Sequence, residues 1–531
     1  MRRLEKSTKR IYSTLLCMLI CGFLSIANAG TRNVVRVSLA DLQGDGQTVY
    51  QRLREIHASA LSLGPDTWVV YPYRVKVNIA IPSGAKSIPL TSHTDFGGCT
   101  FSVKNMQEDE LFLFSLDRRT DLQDNETVDL NALARASRRV DVRGSMIDSG
   151  DFSMVPSLAQ GCKLLYVFDP KVWSKRGNSL DIYRRDVVYI VDGKAQNLPV
   201  QPYVNCSGLM CFYDDVQEQN TSCFENLTFC RSAESSRRVY LLRTCGQVGL
   251  HVRNITIVTP KEDTVSPLKP KYENDRCLYI RHSVNTLIED VNIDGTYSTI
   301  YKHGYGMRLI NLANTTLRNV HGDASWGVTC GFYLNTVTLD DCVLNRFDCH
   351  CYCADFTYRR CTFQTDTSQY SSRNCMCQVA CAYGYIHFMH CRFVDARPLV
   401  IECSYSGAFS GFELSYQDCY FDVDTYPYLV EGLRFDNVEK SRCLPNLYMR
   451  DCSLHVSDET KGLSYFLFHF NNQKDEDVYK DTVDYHTTVN LENVNIFRKG
   501  KPMSVRMCNK KLSYRSCAVR RVLHSTFDTV N

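Results

Sequence analysis

The chain has 531 residues, 44% hydrophobic and 22% charged, a balance that excludes intrinsic disorder. Its formal net charge is only +3, which gives no electrostatic reason to expect nucleic acid as a partner, because duplex binding needs a basic face. The length allows several ordinary domains or one long solenoid, since solenoids grow in one dimension.

Residues 1–29 read as a secretory signal. Arg2, Arg3, Lys6, Lys9 and Arg10 form a basic start, an apolar run follows from Ile11 to Ile26, and Ala27-Asn28-Ala29 supplies a small-x-small cleavage pattern ahead of Gly30. The rival reading is an uncleaved anchor helix, disfavoured because the run is short and ends in a good cleavage site, and no later stretch approaches the ~18 apolar residues of a membrane span. The expectation is a mature chain that is secreted, periplasmic or on the cell surface, with no membrane contact once the signal is gone. Cleavage takes five of the 61 basic and one of the 58 acidic residues, leaving 56 against 57.

Residues 30–103 read as an N-terminal cap and first coils. Thr48 and Gln51 suggest a capping-box start, and Val49, Leu53, Ile56 and Ala60 form one helical stripe that would cover the open end of a core. Extended segments follow at Trp68 to Tyr71 and Val75 to Ile81. Residues 104–222 are less regular. Val187 to Val191 before Asp192-Gly193 predicts a hairpin inserted among irregular coils.

From Cys223 to about residue 500 one pattern recurs. Its anchors are Leu227, Ile255, Val291, Val320, Cys342, Cys361, Cys391, Cys419, Cys452 and Val494. Three residues earlier stands an apolar or aromatic side chain, and two residues later another, Gly322 excepted. Asn or Asp immediately precedes each anchor, except at Arg360 and His390. Apolar residues two apart line one face of a strand. The three-residue step breaks that alternation and demands a bend, for which Asn and Asp tolerate the left-handed conformation. Anchor spacings run from 19 to 42 residues, so the shortest approximate a bare coil and the surplus projects as loops. The reading is an all-β chain, a right-handed parallel β-helix solenoid with an N-terminal capping helix and loop or hairpin insertions. Residues 501–531 complete it as a basic C-terminal tail or cap.

Gly44-Asp45-Gly46, the helix after it, Tyr71-Pro72 and Ile81-Pro82-Ser83 resemble the entry to the pectate-lyase-like β-helix superfamily. That superfamily holds polysaccharide lyases, polygalacturonase-type hydrolases and phage tailspikes. The resemblance implies the fold and a glycan partner, and carries no diagnostic catalytic signature. A narrower likeness, from Ser325-Trp326-Gly327 to His350, resembles an R-F-D-x-H segment of uncharacterised secreted bacterial and phage β-helix proteins.

In Asn345 to Cys353, strand parity puts Phe347, Cys349, Cys351 and Cys353 on one face and Arg346, Asp348, His350 and Tyr352 on the other. With the cysteine face inward, Arg346, Asp348 and His350 meet on the outer wall as candidate catalytic residues. For β-elimination on a uronic acid, Arg346 would neutralise the carboxylate and His350 or Tyr352 would take the adjacent proton. Hydrolysis needs two carboxylates, which Asp348 with Asp323 or Asp395 would supply. Tyr352, His303, Trp326, Asp323, Asp395 and Arg397 are candidate substrate-binding residues. Lys302-His303-Gly304 resembles the Gly-His-Gly element of polygalacturonases, with Lys302 in place of the first glycine, and their Asn-Thr-Asp and Arg-Ile-Lys elements are absent. The same parity also fits an outer-wall ion-pair ladder without chemistry, a glycan-binding or adhesive protein, or a trimeric tailspike-like fibre, against which the signal counts.

No cofactor is expected, although Asp422, Asp424 and Glu431 offer a weak calcium site. Of the 26 cysteines, 24 follow the signal. Five stand at anchors, where neighbours about 4.8 Å apart form either disulfides or a ladder of packed thiols, with packing favoured. Cys375, Cys377 and Cys381 read as loop residues available for bridging. Zinc binding around His350 is disfavoured, because His350 faces away from the cysteines.

Overall fold

The computed structural model describes residues 33–118, 138–176, 180–217, 221–232, 239–258, 275–294, 304–322, 327–364, 375–379, 382–402, 412–433, 445–458, 460, 464–471, 487–508 and 517–527. The leader, His303, Asp323, Trp326 and Cys381 lie outside them.

Each anchor pattern forms one corner of a three-walled coil. In a single turn of the chain, Thr357 pairs with His387 on the first wall, Thr362 with Arg392 on the second and Asp348 with Gln378 on the third, all parallel. The same three ladders continue through later coils, so the walls are parallel sheets wrapped round one core. The sole antiparallel pairing described in this ladder is a short return, Phe497 with Pro502 and Arg498 with Lys501. The chain is a parallel β-helix. This is the coil architecture implied by the resemblance to the pectate-lyase-like superfamily.

The residue before every anchor sits at positive φ, from 51° to 64°, including Arg360 and His390 where Asn and Asp are lacking. That conformation turns the chain and resets the alternation, so side chains on both sides of the corner point inward. Corner side chains also bind one another between coils. Asn254 Nδ2 donates to Asn226 Oδ1 at 2.8 Å, Asn319 to Asp290 at 2.6 Å and Asn493 to Asp451 at 2.7 Å. Arg360 keeps the ladder going by pairing with Asp341 at 2.8 Å.

All ten anchors, and the apolar residues three before them, belong to one buried core. Register stacks like on like. Tyr358, Phe388 and Tyr416 lie face to face at 4.6 and 4.8 Å, and Phe363, Phe393 and Phe421 at 5.3 and 4.8 Å. Cys342, Cys361, Cys391, Cys419 and Cys452 are buried free thiols, as packing rather than bridging requires. Several back-bond to a carbonyl of the coil before, Cys391 to Tyr358 O at 3.4 Å for one. Cys375 and Cys377 are also buried free thiols of the core, with Cys377 in the strand Met376–Val379, so the bridging loop expected there is replaced by an inward strand face.

The helix Gly46–Ser62 closes the N-terminal end, burying Val49, Tyr50, Leu53, His57 and Ala60. Its cap is Asp45, whose carboxylate accepts from Gln47 N and Thr48 N, rather than the expected Thr48. Gly46 is required there, because a Cβ would lie 2.6 Å from Ala80 N.

His93 pairs with Cys223 and Leu111 with Val239, so residues 93–117 and 223–245 are adjacent coils and the chain between them is an insertion. It forms a five-stranded sheet ordered Lys194–Ala195, Leu180–Val191, Cys162–Arg176, Met210–Val216, Arg139–Val140. The expected hairpin turns at Asp192 and Gly193, both at positive φ. One face packs on Cys245, Val284 and Ala313 of the coils, while the other makes its own core with the helix Gly144–Ser149. Within the insertion, Tyr203 OH donates to the buried Asp186 at 2.6 Å, and Arg184 stacks on the Tyr203 ring at 3.6 Å.

Two predictions follow from these arrangements. Asn254→Val forces a β-branched residue into the left-handed corner and removes the bond to Asn226, so urea unfolding should show a loss of about 1–3 kcal/mol. Asn254→Gly should cost clearly less, and equal costs would refute the corner's role. Burial pushes Asp186 up to about 6, despite Arg184 and the Tyr203 hydroxyl. An aspartate whose folded pKa exceeds its unfolded value destabilises the charged state, so stability should rise as pH falls from 7 through 6 towards 4. Asp186→Asn should therefore raise the melting midpoint at pH 7 and leave it unchanged near pH 4.

Candidate functional site

The third wall of the coils carries the polar constellation. The strand Arg346–Arg359 starts on it and turns onto the first wall at Asp355, and Phe347, Cys349 and Cys353 enter the core while Tyr352 joins the opposite face. Arg346, Asp348 and His350 point away from the core as parity requires. The expected open outer wall is not what they meet. The side chains of Arg346, Asp348 and His350 are 4%, 0% and 10% exposed.

Part of the cover is aromatic. Phe112, Tyr240, Tyr279, Tyr305, Phe332, Tyr333, Tyr352 and Tyr383 form a second apolar layer outside the wall, which Ile182 of the insertion joins. Arg185 of the insertion lies over the Tyr333 ring at 4.0 Å, and Asn335 donates to Leu198 O at 3.2 Å. Tyr352 is buried in this belt, 5.3 Å from the Tyr383 ring.

Under the belt two cations share one carboxylate. Arg346 Nε donates to Asp348 Oδ1 at 2.7 Å, and its Nη2 donates to Gln378 Oε1 at 2.6 Å. Tyr305 OH donates to Asp348 Oδ2 at 2.5 Å, and His350 Nε2 stands 3.7 Å from the same oxygen. Gly327 makes room, since a Cβ there would lie 3.1 Å from Arg346 Cβ. Burial alone would raise the Asp348 pKa, but Arg346 and His350 outweigh it and hold the carboxyl below its ordinary range. Burial alone would lower His350, but Asp348 and the Cys330 thiol hold the imidazole well above its ordinary value. The cluster is thus a sealed carboxylate beside an imidazolium, and of the three side chains His350 reaches solvent most. Its ring is tilted by 31° against that of Phe332, with 5.3 Å between centroids.

Tyr305, Gln378 and Cys330 were not singled out from sequence. Cys330, Asp348 and Gln378 are direct neighbours on successive coils, a register concealed by loops of unequal length. Asp395 does not join the cluster. Its carboxylate accepts from Asp424 N, Thr425 N and Thr425 Oγ1 at 3.2, 2.6 and 2.8 Å, closing a turn of the next coil. Arg397 is committed to the buried Glu431 at 2.9 Å. Asp422 pairs with Arg392 at 2.7 Å. With Asp422 and Glu431 each tied to an arginine, the weak calcium site is not assembled, and among the described residues no three His, Cys, Asp or Glu side chains converge as metal ligands would. An ion-pair ladder does exist, but on the first wall, where Arg253 pairs with Glu225 and Arg318 with Glu289.

No family model matches the chain, and no curated protein matches it in sequence. Similar solved structures include the gp54 tailspike of Acinetobacter baumannii bacteriophage AP22, in complex with A. baumannii capsular saccharide, at 10% identity and TM-score 0.49, covering 90% of this chain and 73% of that one. The gp49 tailspike of Pseudomonas phage LKA1 is similar at 11% identity and TM-score 0.46, covering 89% and 77%. An exopolygalacturonase from Thermotoga maritima is similar at 10% and 0.32, covering 88% and 92%. The β-helix assignment stands on the strand register above, and these likenesses say nothing of function.

The geometry predicts a coupled titration. NMR of the folded chain, assigned with His350→Gln, should show His350 titrating well above the ordinary ~6.5, and in Asp348→Asn it should fall clearly from its wild-type value because burial is then opposed only by the Cys330 contact. Since the folded value is raised, this contact stabilises the fold below pH 6.5 and is lost as pH rises through the folded pKa. Asp348→Asn also strands Arg346, at a cost on the order of 3–5 kcal/mol in denaturant unfolding.

Proposed function

We propose that the protein acts outside the cytoplasm as a carbohydrate-binding β-helix, and that its third wall, around His350, is where an acidic polysaccharide lies. The observation that carries this reading is an imidazole held in its cationic form by Asp348, tilted against the Phe332 ring and keeping a tenth of its side chain at the surface of a regular wall. A polymer with a repeated negative charge matches a cation set on a repeating scaffold.

Binding is favoured over cleavage by the protonation states. A proton-bearing His350 is a donor, so it does not serve as a resting base for β-elimination. Hydrolysis by paired carboxylates fares no better among the described residues. Asp348 is sealed between Arg346 and Tyr305, and Asp395 is consumed by its turn. Arg346, assigned above to the sugar carboxylate, already holds Asp348 and Gln378. Cleavage survives as a second reading in which His350 donates its proton to a glycosidic oxygen, with Asp348 and Arg346 as positioning residues.

Affinity electrophoresis of the mature chain through gels holding acidic polysaccharides tests the reading. Retardation by at least one polymer is expected, weakened about tenfold in His350→Ala, equivalent to about 1.4 kcal/mol. New reducing ends or unsaturated-product absorbance lost in the same variant would move the conclusion to the second reading, and an unretarded wild type would sink both.

A further inference from the structure

We infer that Arg308 is the residue of the third wall that receives an anionic group of a polysaccharide, a carboxylate or a sulfate ester. The inference rests on the carbohydrate-binding reading of that wall and names what the wall recognises. Arg308 stands in the strand Gly304–Gly322, with Tyr279 beside it on one neighbouring coil and Cys330 on the other. Cys330 in turn neighbours Asp348, so Arg308 is two coils from the sealed carboxylate.

Its surroundings differ from those of every other cation nearby. Arg243 and Arg281 share Asp117 at 2.7 and 3.2 Å, and Arg346 holds Asp348 at 2.7 Å. Among the described residues no carboxylate pairs with Arg308. Its guanidinium carbon sits 5.7 Å from the Tyr279 ring centroid and 5.1 Å from that of Phe332, and its Nε is buried with no hydrogen-bond partner. Aromatic faces hold a guanidinium by roughly 0.5–2 kcal/mol but accept no N–H bond along its plane. A buried donor left without an acceptor costs about 1–3 kcal/mol, more when charged, so the side chain is held in place with its acceptor missing. The paired oxygens of a carboxylate, or two of the three of a sulfate ester, fit that fork, and the residue remains half-buried rather than sealed. Phe332 also carries His350 at 5.3 Å, so one ring separates two cations presented on the same wall.

Nearby acidic side chains do not satisfy this arginine, because Asp117 and Asp348 are already bound by the others. The missing acceptor must therefore come from outside the described residues, and the repeated anion of an acidic polymer supplies it.

The test titrates the full mature chain by calorimetry with polygalacturonate, dextran sulfate and unmodified dextran, which separate carboxylate, sulfate and neutral sugar. Wild type should bind one of the two acidic polymers and bind dextran at least tenfold more weakly. Arg308→Gln should lose about tenfold on the acidic polymer, while Arg318→Gln on the first wall should change nothing. Should Arg308→Gln fail to melt cooperatively, Arg308→Lys carries the test, keeping the charge and losing the planar fork, with several-fold weaker binding expected. Arg308 variants that bind as tightly as wild type, alongside a weakened His350→Ala, would overturn this inference and leave the wall's function standing. Wild type that prefers dextran, or binds it equally, would overturn this inference together with the acidic-polymer part of the binding reading. Wild type that binds none of the three would remove the binding reading and this inference with it.

Discussion

Each coil depends on one residue that leaves the right-handed half of backbone space. Strand parity sends alternate side chains to opposite faces, so a chain that simply bent from one wall to the next would put half its apolar residues outside. A single residue at φ between 51° and 64° adds one step without adding a strand position, and both walls then face the core. The Asn and Asp side chains at these corners serve twice, since they tolerate the conformation and hydrogen-bond the corner above. Arg360 and His390 show that the conformation is the stricter requirement. Neither is suited to it by local hydrogen bonding, and each stands beside a corner carboxylate, Arg360 by Asp341 and His390 3.7 Å from Asp418.

Equal register has a second consequence, because every inward position meets its own equivalent on the next coil. A position that tolerates an aromatic ring becomes a stack of rings, and one that tolerates a thiol becomes a column of thiols. Cysteine suits the narrow place between two ring stacks because it is small, apolar and content with a weak bond to a carbonyl. The composition that suggests a disulfide framework is therefore a packing solution repeated coil after coil.

Parity in the sequence assigns sides, and the sides agree with the structure at Phe347, Cys349 and Cys353 and at Arg346, Asp348 and His350. Parity does not assign exposure. Outward from the core is not outward to water, because a sheet built from residues between 138 and 216 seats against the coils, and an aromatic belt covers the polar row. Cys375, Cys377 and Val379 carry the same alternation as Phe347 and Cys349, a visible sign of an inward strand that the loop reading passed over. Tyr305 and Gln378 were beyond reach for another reason. Which residue lies beside Asp348 depends on the number of residues spent in each loop, and no local pattern records that number.

Enclosure also decides which member of the polar row can act on anything. Asp348 has no accessible surface and Arg346 almost none, so neither meets a ligand directly. Their influence passes through His350, whose proton Asp348 stabilises against the opposing effect of burial. The buried Arg346–Asp348 pair behind a nearly covered imidazolium leaves one net positive charge on the wall. Arg308, two coils away and always protonated, adds a second along the solenoid axis. The wall therefore presents its cations at positions set by the coil repeat, and a ligand that satisfies both must carry its negative charges at a spacing the backbone dictates.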